Sequence, residues 1–100
     1  MNRKQLETRL NFNGIHSDDK KVMSESDLSI LVNAGYVDVS WKNDECASFL
    51  SPCGHYQLFY GEDHGETIYV QYICNEGYQT PITLTNDMSE ALAKVMGLDL

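Results

Sequence analysis

The sequence predicts a single α+β domain: an antiparallel β-meander of four to five strands, with two N-terminal helices and one C-terminal helix packed on the sheet. Three observations lead there. Apolar residues recur with helical spacing at both ends of the chain and alternate through its middle, between residues 36 and 85. Short polar or glycine-containing turns separate the alternating segments, which makes consecutive strands hairpin partners. The composition, 42% hydrophobic with 10% aromatic, is that of a chain able to build a core. At 100 residues residues 1–100 form one compact domain, long enough to bury about two-thirds of the unfolded surface.

The first helix is expected over residues 3–11, where Leu6 and Leu10 stand four apart among charged residues. Asn13-Gly14 supplies its stop, because both residues accept left-handed backbone. Residues 16–21 are polar and read as a loop. Ser24 then caps a second helix, with Glu25 and Asp27 in its first turn at the positive end of the dipole. Its apolar face is Leu28, Leu31 and Val32, and Gly35 ends it.

At Tyr36 the period changes to two. Val37, Val39 and Trp41 fall on one side of a strand and Tyr36, Asp38 and Ser40 on the other, so the apolar set is expected inside. After the polar turn 42–45, residues 46–51 make a second, weakly patterned strand. A third follows over 55–60, with Tyr56, Leu58 and Tyr60 sharing a face. Residues 61–65 form a charged hairpin loop whose flanking glycines suit positive φ. The strand over 66–74 is rich in β-branched and aromatic residues, and another follows over 80–85; Pro81 cannot donate to a ladder, so this strand lies at an edge or starts at that residue. Asn86 caps the last helix. Met88, Ala91, Leu92, Val95 and Met96 are its buried stripe and Gly97 its stop.

Catalytic chemistry finds little support. Cys46, Cys53, Cys74, His55 and His64 are zinc-type donors, yet no Cys-x-x-Cys or His-x-x-x-His pair brings them together. Three cysteines without an export signal favour free thiols. Cys53 lies two residues from His55, but nothing else marks a nucleophile's surroundings. Phosphate-cradling glycine loops are missing, so no cofactor or metal is expected and the chain reads as non-enzymatic. No apolar run reaches the roughly 18 residues a membrane helix needs. With no apolar stretch after Met1, the expected location is cytoplasmic.

Charge is the stronger signal. Residues 1–22 hold five basic and three acidic side chains, whereas residues 23–100 hold only Lys42 and Lys94 against twelve acids, for a formal net charge of −8 overall. Such a domain repels phosphates and membranes and attracts basic protein surfaces. All six tyrosines fall between residues 36 and 78, among many of those acids. Tyrosine adds large contact area with few rotors. The expected partner-binding surface therefore combines Tyr36 and Tyr69 with Asp38, Asp44, Glu45, Glu62, Asp63, Glu66 and Glu76. A plainer reading leaves the tyrosines as core residues and the acids as solubility. Self-association as a homodimer stays open.

In size, acidity and architecture the chain resembles the small inhibitor proteins of phages and mobile elements, anti-CRISPR proteins and DNA mimics among them. That resemblance implies a carboxylate-bearing surface that occupies the basic groove of a nucleic-acid-binding complex in a bacterial cytoplasm. The alternative is a non-enzymatic adaptor or self-associating structural domain whose acidity serves only solubility.

Overall fold

A computed structural model describes residues 2–43, 46–61, 68–73 and 79–99. In chain order these form α1 (Arg3–Leu10), α2 (Ser17–Lys21), α3 (Glu25–Asn33), β1 (Val37–Asp38), β2 (Ala47–Leu50), β3 (Tyr56–Tyr60), β4 (Ile68–Ile73), β5 (Gln79–Thr85) and α4 (Met88–Asp99). The five strands form one sheet in the order β1-β2-β3-β4-β5, every neighbouring pair antiparallel. This is the α+β meander expected from the hairpin spacing.

Register aligns the inner face across the strands. Phe49 pairs with Leu58 and Leu58 with Val70, while Ala47 pairs with Tyr60 and Tyr60 with Ile68. Leu6 and Leu10 of α1, Leu28 and Leu31 of α3, and Met88, Ala91, Leu92 and Val95 of α4 close over that face to complete the core. The helices thus occupy one side of the sheet.

Local chemistry moves several element ends from where the sequence put them. Asn11, left-handed at φ 64°, ends α1 before Asn13-Gly14 is reached. Gly35 ends α3 as expected, at φ 83°. Its N–H bonds Val32 O at 3.0 Å, and Tyr36 N–H bonds Leu31 O at 3.0 Å. The cap of α4 is Asp87 instead of Asn86: Asp87 Oδ1 accepts the Glu90 N–H at 3.2 Å, and Thr85 Oγ1 accepts the Asp87 N–H at 3.1 Å. The helix then runs through Gly97 to Asp99, since glycine permits a stop without enforcing one.

The segment expected to be a loop, residues 16–21, contains α2. Five residues cannot hold a helix by propensity alone. Arg3 holds this one from outside. Its guanidinium donates to Met23 O at 2.6 Å, Lys20 O at 2.9 Å and Lys21 O at 3.4 Å, so one cation gathers the carbonyls at the end of the helix and just beyond it.

The largest departure is β1, whose faces are reversed. Tyr36, Asp38 and Ser40 are buried, at 4%, 7% and 4% exposure, whereas Val37 is 39% and Trp41 57% exposed. The cause is an ion pair. Lys20, on α2, reaches into the domain and its Nζ donates to Asp38 Oδ2 at 2.6 Å, to Asn13 Oδ1 at 2.8 Å and to Asn13 O at 3.0 Å. All three ammonium protons are used. Asp38 is equally satisfied: Oδ2 also accepts the Asn13 N–H at 2.8 Å, and Oδ1 accepts the Ser40 N–H at 2.9 Å and the Ser40 hydroxyl at 2.6 Å. Ser40 Oγ in turn accepts the Ser48 N–H at 3.1 Å, tying the cluster to β2. The Phe12 ring, 5.2 Å from Nζ, adds a cation–π contact.

Gly61 also differs in its reason. The glycines of described backbone with positive φ are Gly35 and Gly54, and Gly61 is small because of Cys46. A Cβ at residue 61 would stand 2.5 Å from Cys46 Cβ.

Three outcomes are expected in urea unfolding. Asp38→Ala strands a buried ammonium and two N–H groups, so it should lose about 3–5 kcal/mol. Lys20→Met leaves the carboxylate its three other donors and should lose less; equal and small losses would contradict the network. Gly61→Ala should destabilise by about 1–3 kcal/mol through overpacking against Cys46.

Candidate protein-binding surface

The second face of the sheet carries no described helix. On β3, Tyr56, Leu58 and Tyr60 turn inward, which sends Gln57 and Phe59 outward, both half-buried. Phe59 is in register with Tyr69 of β4, with ring centroids 6.0 Å apart and planes at 53°. Such tilted pairs are favourable beyond their buried area. Leu50 pairs with both Gln57 and Val37, carrying the apolar strip to β1. The reversal of β1 sets Val37 outward, and Trp41 follows it in alternation, 57% exposed. A sheet face with Val37, Leu50, Phe59 and Tyr69, and an exposed Trp41 beside its edge, is more apolar than a solvated face requires.

Of the residues the sequence put forward, Tyr69 lies on this face, half-buried. Tyr36 and Asp38 do not: both are inside, Asp38 as the partner of Lys20. Asp44, Glu45, Glu62, Asp63, Glu66 and Glu76 lie outside the described residues, in the stretches that connect successive strands. Phe59, Val37, Leu50 and Trp41 were missed. The alternation on β3 already implied an outward Phe59. Val37 and Trp41 carried no such signal, because their outward facing depends on a lysine seventeen or more residues earlier.

The same network leaves the net charge at the surface unchanged. Lys20 is buried against Asp38. Arg3 is spent on backbone carbonyls and on Glu7, 3.6 Å away. Burying Lys20 with Asp38 removes one charge of each sign, so the solvent-facing surface keeps the acidic balance of the composition, with Lys4, Arg9 and Lys21 exposed within it. One acidic spot sits on the helix side, where the N-terminal turns of α3 and α4 meet Tyr60. Partial burial, reinforced by the Asp87 carboxylate, holds the Asp27 proton affinity above the ordinary carboxylate range. Burial, and then the Asp27 charge, raise the Tyr60 phenol in the same way.

Groups that could do chemistry are dispersed. Cys46 is buried and Cys53 exposed, the latter with Sγ 3.2 Å from Ser51 Oγ. His55 stacks on Tyr72 at 6.3 Å, while Cys74 and His64 lie outside the described residues. Among the described residues no three His, Cys, Asp or Glu side chains converge as a metal site would need. Nor is any helix there long and apolar enough to cross a membrane. An apolar hollow of about 280 Å³ between α3, the turn after β2 and α4 is lined by Tyr36, Pro52, Leu92, Val95 and Met96, with no titratable group suited to proton transfer at neutral pH.

The raised Asp27 affinity fixes the sign of a pH effect. The folded state binds that proton more tightly than the unfolded chain, so this stabilisation is present at low pH and lost as pH rises through the folded value. Asp27→Asn lacks the effect. Its stability relative to the parent should therefore be greater at about pH 7 than at about pH 4 in urea unfolding. A difference that is flat, or that runs the other way, would refute the assignment. Compared with known proteins, the chain matches no family model, no curated sequence and no solved structure, so the reading of this surface rests on its residues.

Proposed function

We propose that the chain is a small acidic protein-binding inhibitor, of the type made by phages or mobile elements, that acts without catalysis. Its outer sheet face docks on a basic protein and blocks a surface that the partner uses for nucleic acid. The observation that carries this reading is the apolar face built around Phe59 and Tyr69 on a domain whose residues 23–100 hold twelve acids and two lysines.

Each half of that observation does a different job. Aromatic side chains that are half-buried in the free protein lose little conformational freedom on docking, and they anchor interfaces for that reason. Carboxylates in the strand connections, Glu62, Asp63 and Glu66 foremost, steer a basic partner and speed the encounter. They also exclude phosphate-bearing ligands, so the nucleic acid itself is the competitor and not the ligand. The expected setting is a bacterial cytoplasm, where such complexes work.

The test begins with capture from a bacterial lysate at low salt and continues with the purified partner. Phe59→Ala and Tyr69→Ala should each weaken binding about tenfold or more, as anchor truncations do. Reversal of Glu62, Asp63 and Glu66 to lysine should slow association and weaken affinity, and about 0.5 M salt should do the same. Added nucleic acid should compete. A partner indifferent to salt and to charge reversal would instead favour an adaptor whose acidity serves solubility.

A further inference from the structure

We infer that β5 is the seam of a homodimer, in which two copies pair antiparallel along residues 79–85 and continue the sheet across a two-fold axis. The inference is independent of the docking face, which lies on the flat of the sheet and not at its edge.

The two edges of the sheet are treated differently. At one edge, β1 is two residues long, and the chain before α2 is tied to it: Asn13 N–H bonds Asp38 Oδ2 at 2.8 Å and Asn13 Nδ2 bonds Ser40 O at 3.1 Å. A short, occupied edge does not recruit another strand. At the other edge, β5 is seven residues long, the longest strand described, and the described strands pair with one side of it alone. Proteins guard such an edge with charges, prolines or bulges. Here the sequence has no charged residue between Glu76 and Asp87. Pro81, and the irregularity opposite it at Val70/Gln71, are the remaining guards.

The occupant that fits is a second copy. Antiparallel pairing of identical strands is self-complementary and closes at two, without growing into fibres. The uncharged strand lets two copies of net charge −8 touch where no like charges are brought into contact. The helix layer fits as well. α4 packs over both β4 and β5, so in the pair the two α4 axes lie about two strand spacings apart, roughly 10 Å, which is a helix-packing distance. Leu92 and Met96 line the hollow toward α3. Lys94, 200° around a helix from Met96, therefore looks toward the β5 edge. Glu90 shares its flank, four residues earlier, beside Thr85. Antiparallel α4 helices then set Glu90 of each copy against Lys94 of the other.

Sedimentation equilibrium of the full chain, from micromolar to millimolar concentration, tests this. A monomer–dimer equilibrium is expected that strengthens as salt rises from about 0.02 to about 0.5 M, because screening relieves repulsion between the acidic copies. That sign is opposite to the one expected for docking on a basic partner, so failure of either reading is recognised separately. Amide hydrogen exchange over residues 79–85 should slow with concentration while residues 37–38 stay unchanged. Lys94→Glu, at an exposed position, should raise the dimer dissociation constant about tenfold, and Glu90→Lys, also exposed, should do the same, while the double exchange of the two should restore the affinity. A chain still monomeric at millimolar concentration and high salt would overturn the inference. So would a dimer whose concentration-dependent protection lies elsewhere, or one indifferent to both substitutions.

Discussion

The Lys20–Asp38 pair is the interaction on which the rest of the arrangement turns. A buried ion pair is rarely a net source of stability, because removing both charges from water offsets most of their attraction. What it does supply is a unique geometry. With three ammonium protons and both carboxylate oxygens engaged, only one placement of α2 against β1 satisfies every group. An apolar contact in its place would tolerate sliding and rotation. Here the first strand has one facing and one register, and the rest of the meander is paired outward from it.

How much of this could be read from the residues follows from the range of the forces involved. Elements governed by their own sequence were legible: Ser24 capping α3, Gly35 ending it, the alternation of Tyr56, Leu58 and Tyr60 on β3, and the antiparallel order of the strands. Element ends shifted locally, and the larger errors arose where a distant residue decided. Period-two patterning identifies a strand but not which face is inside, and for β1 the apolar face was the natural choice. A lysine from α2 outweighed it. The loop expected over residues 16–21 failed for the same reason, since α2 is held by Arg3. For the candidate surface, Tyr69 was legible through alternation, while Tyr36 and Asp38 were assigned outward by the same mistaken facing.

Reversal of β1 and the character of the outer face belong together. Inward polarity at Asp38 and Ser40 obliges outward exposure of Val37, and Trp41 follows. The cost of internal polar residues is offset by their complete hydrogen bonding, and the displaced apolar side chains add to the strip that Phe59 and Tyr69 establish. Burial of Lys20 with Asp38 meanwhile removes one charge of each sign from the exterior and leaves its acidic balance as it was. The reversed facing thus makes an already acidic surface more apolar.

Arg3 extends this dependence to the start of the chain. Its guanidinium secures α2, α2 carries Lys20, Lys20 draws Asp38 inward, and Asp38 turns Val37 out. The helices and the outer face lie on opposite sides of the sheet, and no ligand need touch both for them to be linked. The outer face is in this sense written at a distance: a modification or truncation at the third residue would be felt across the thickness of the domain, as a change in what the far side displays.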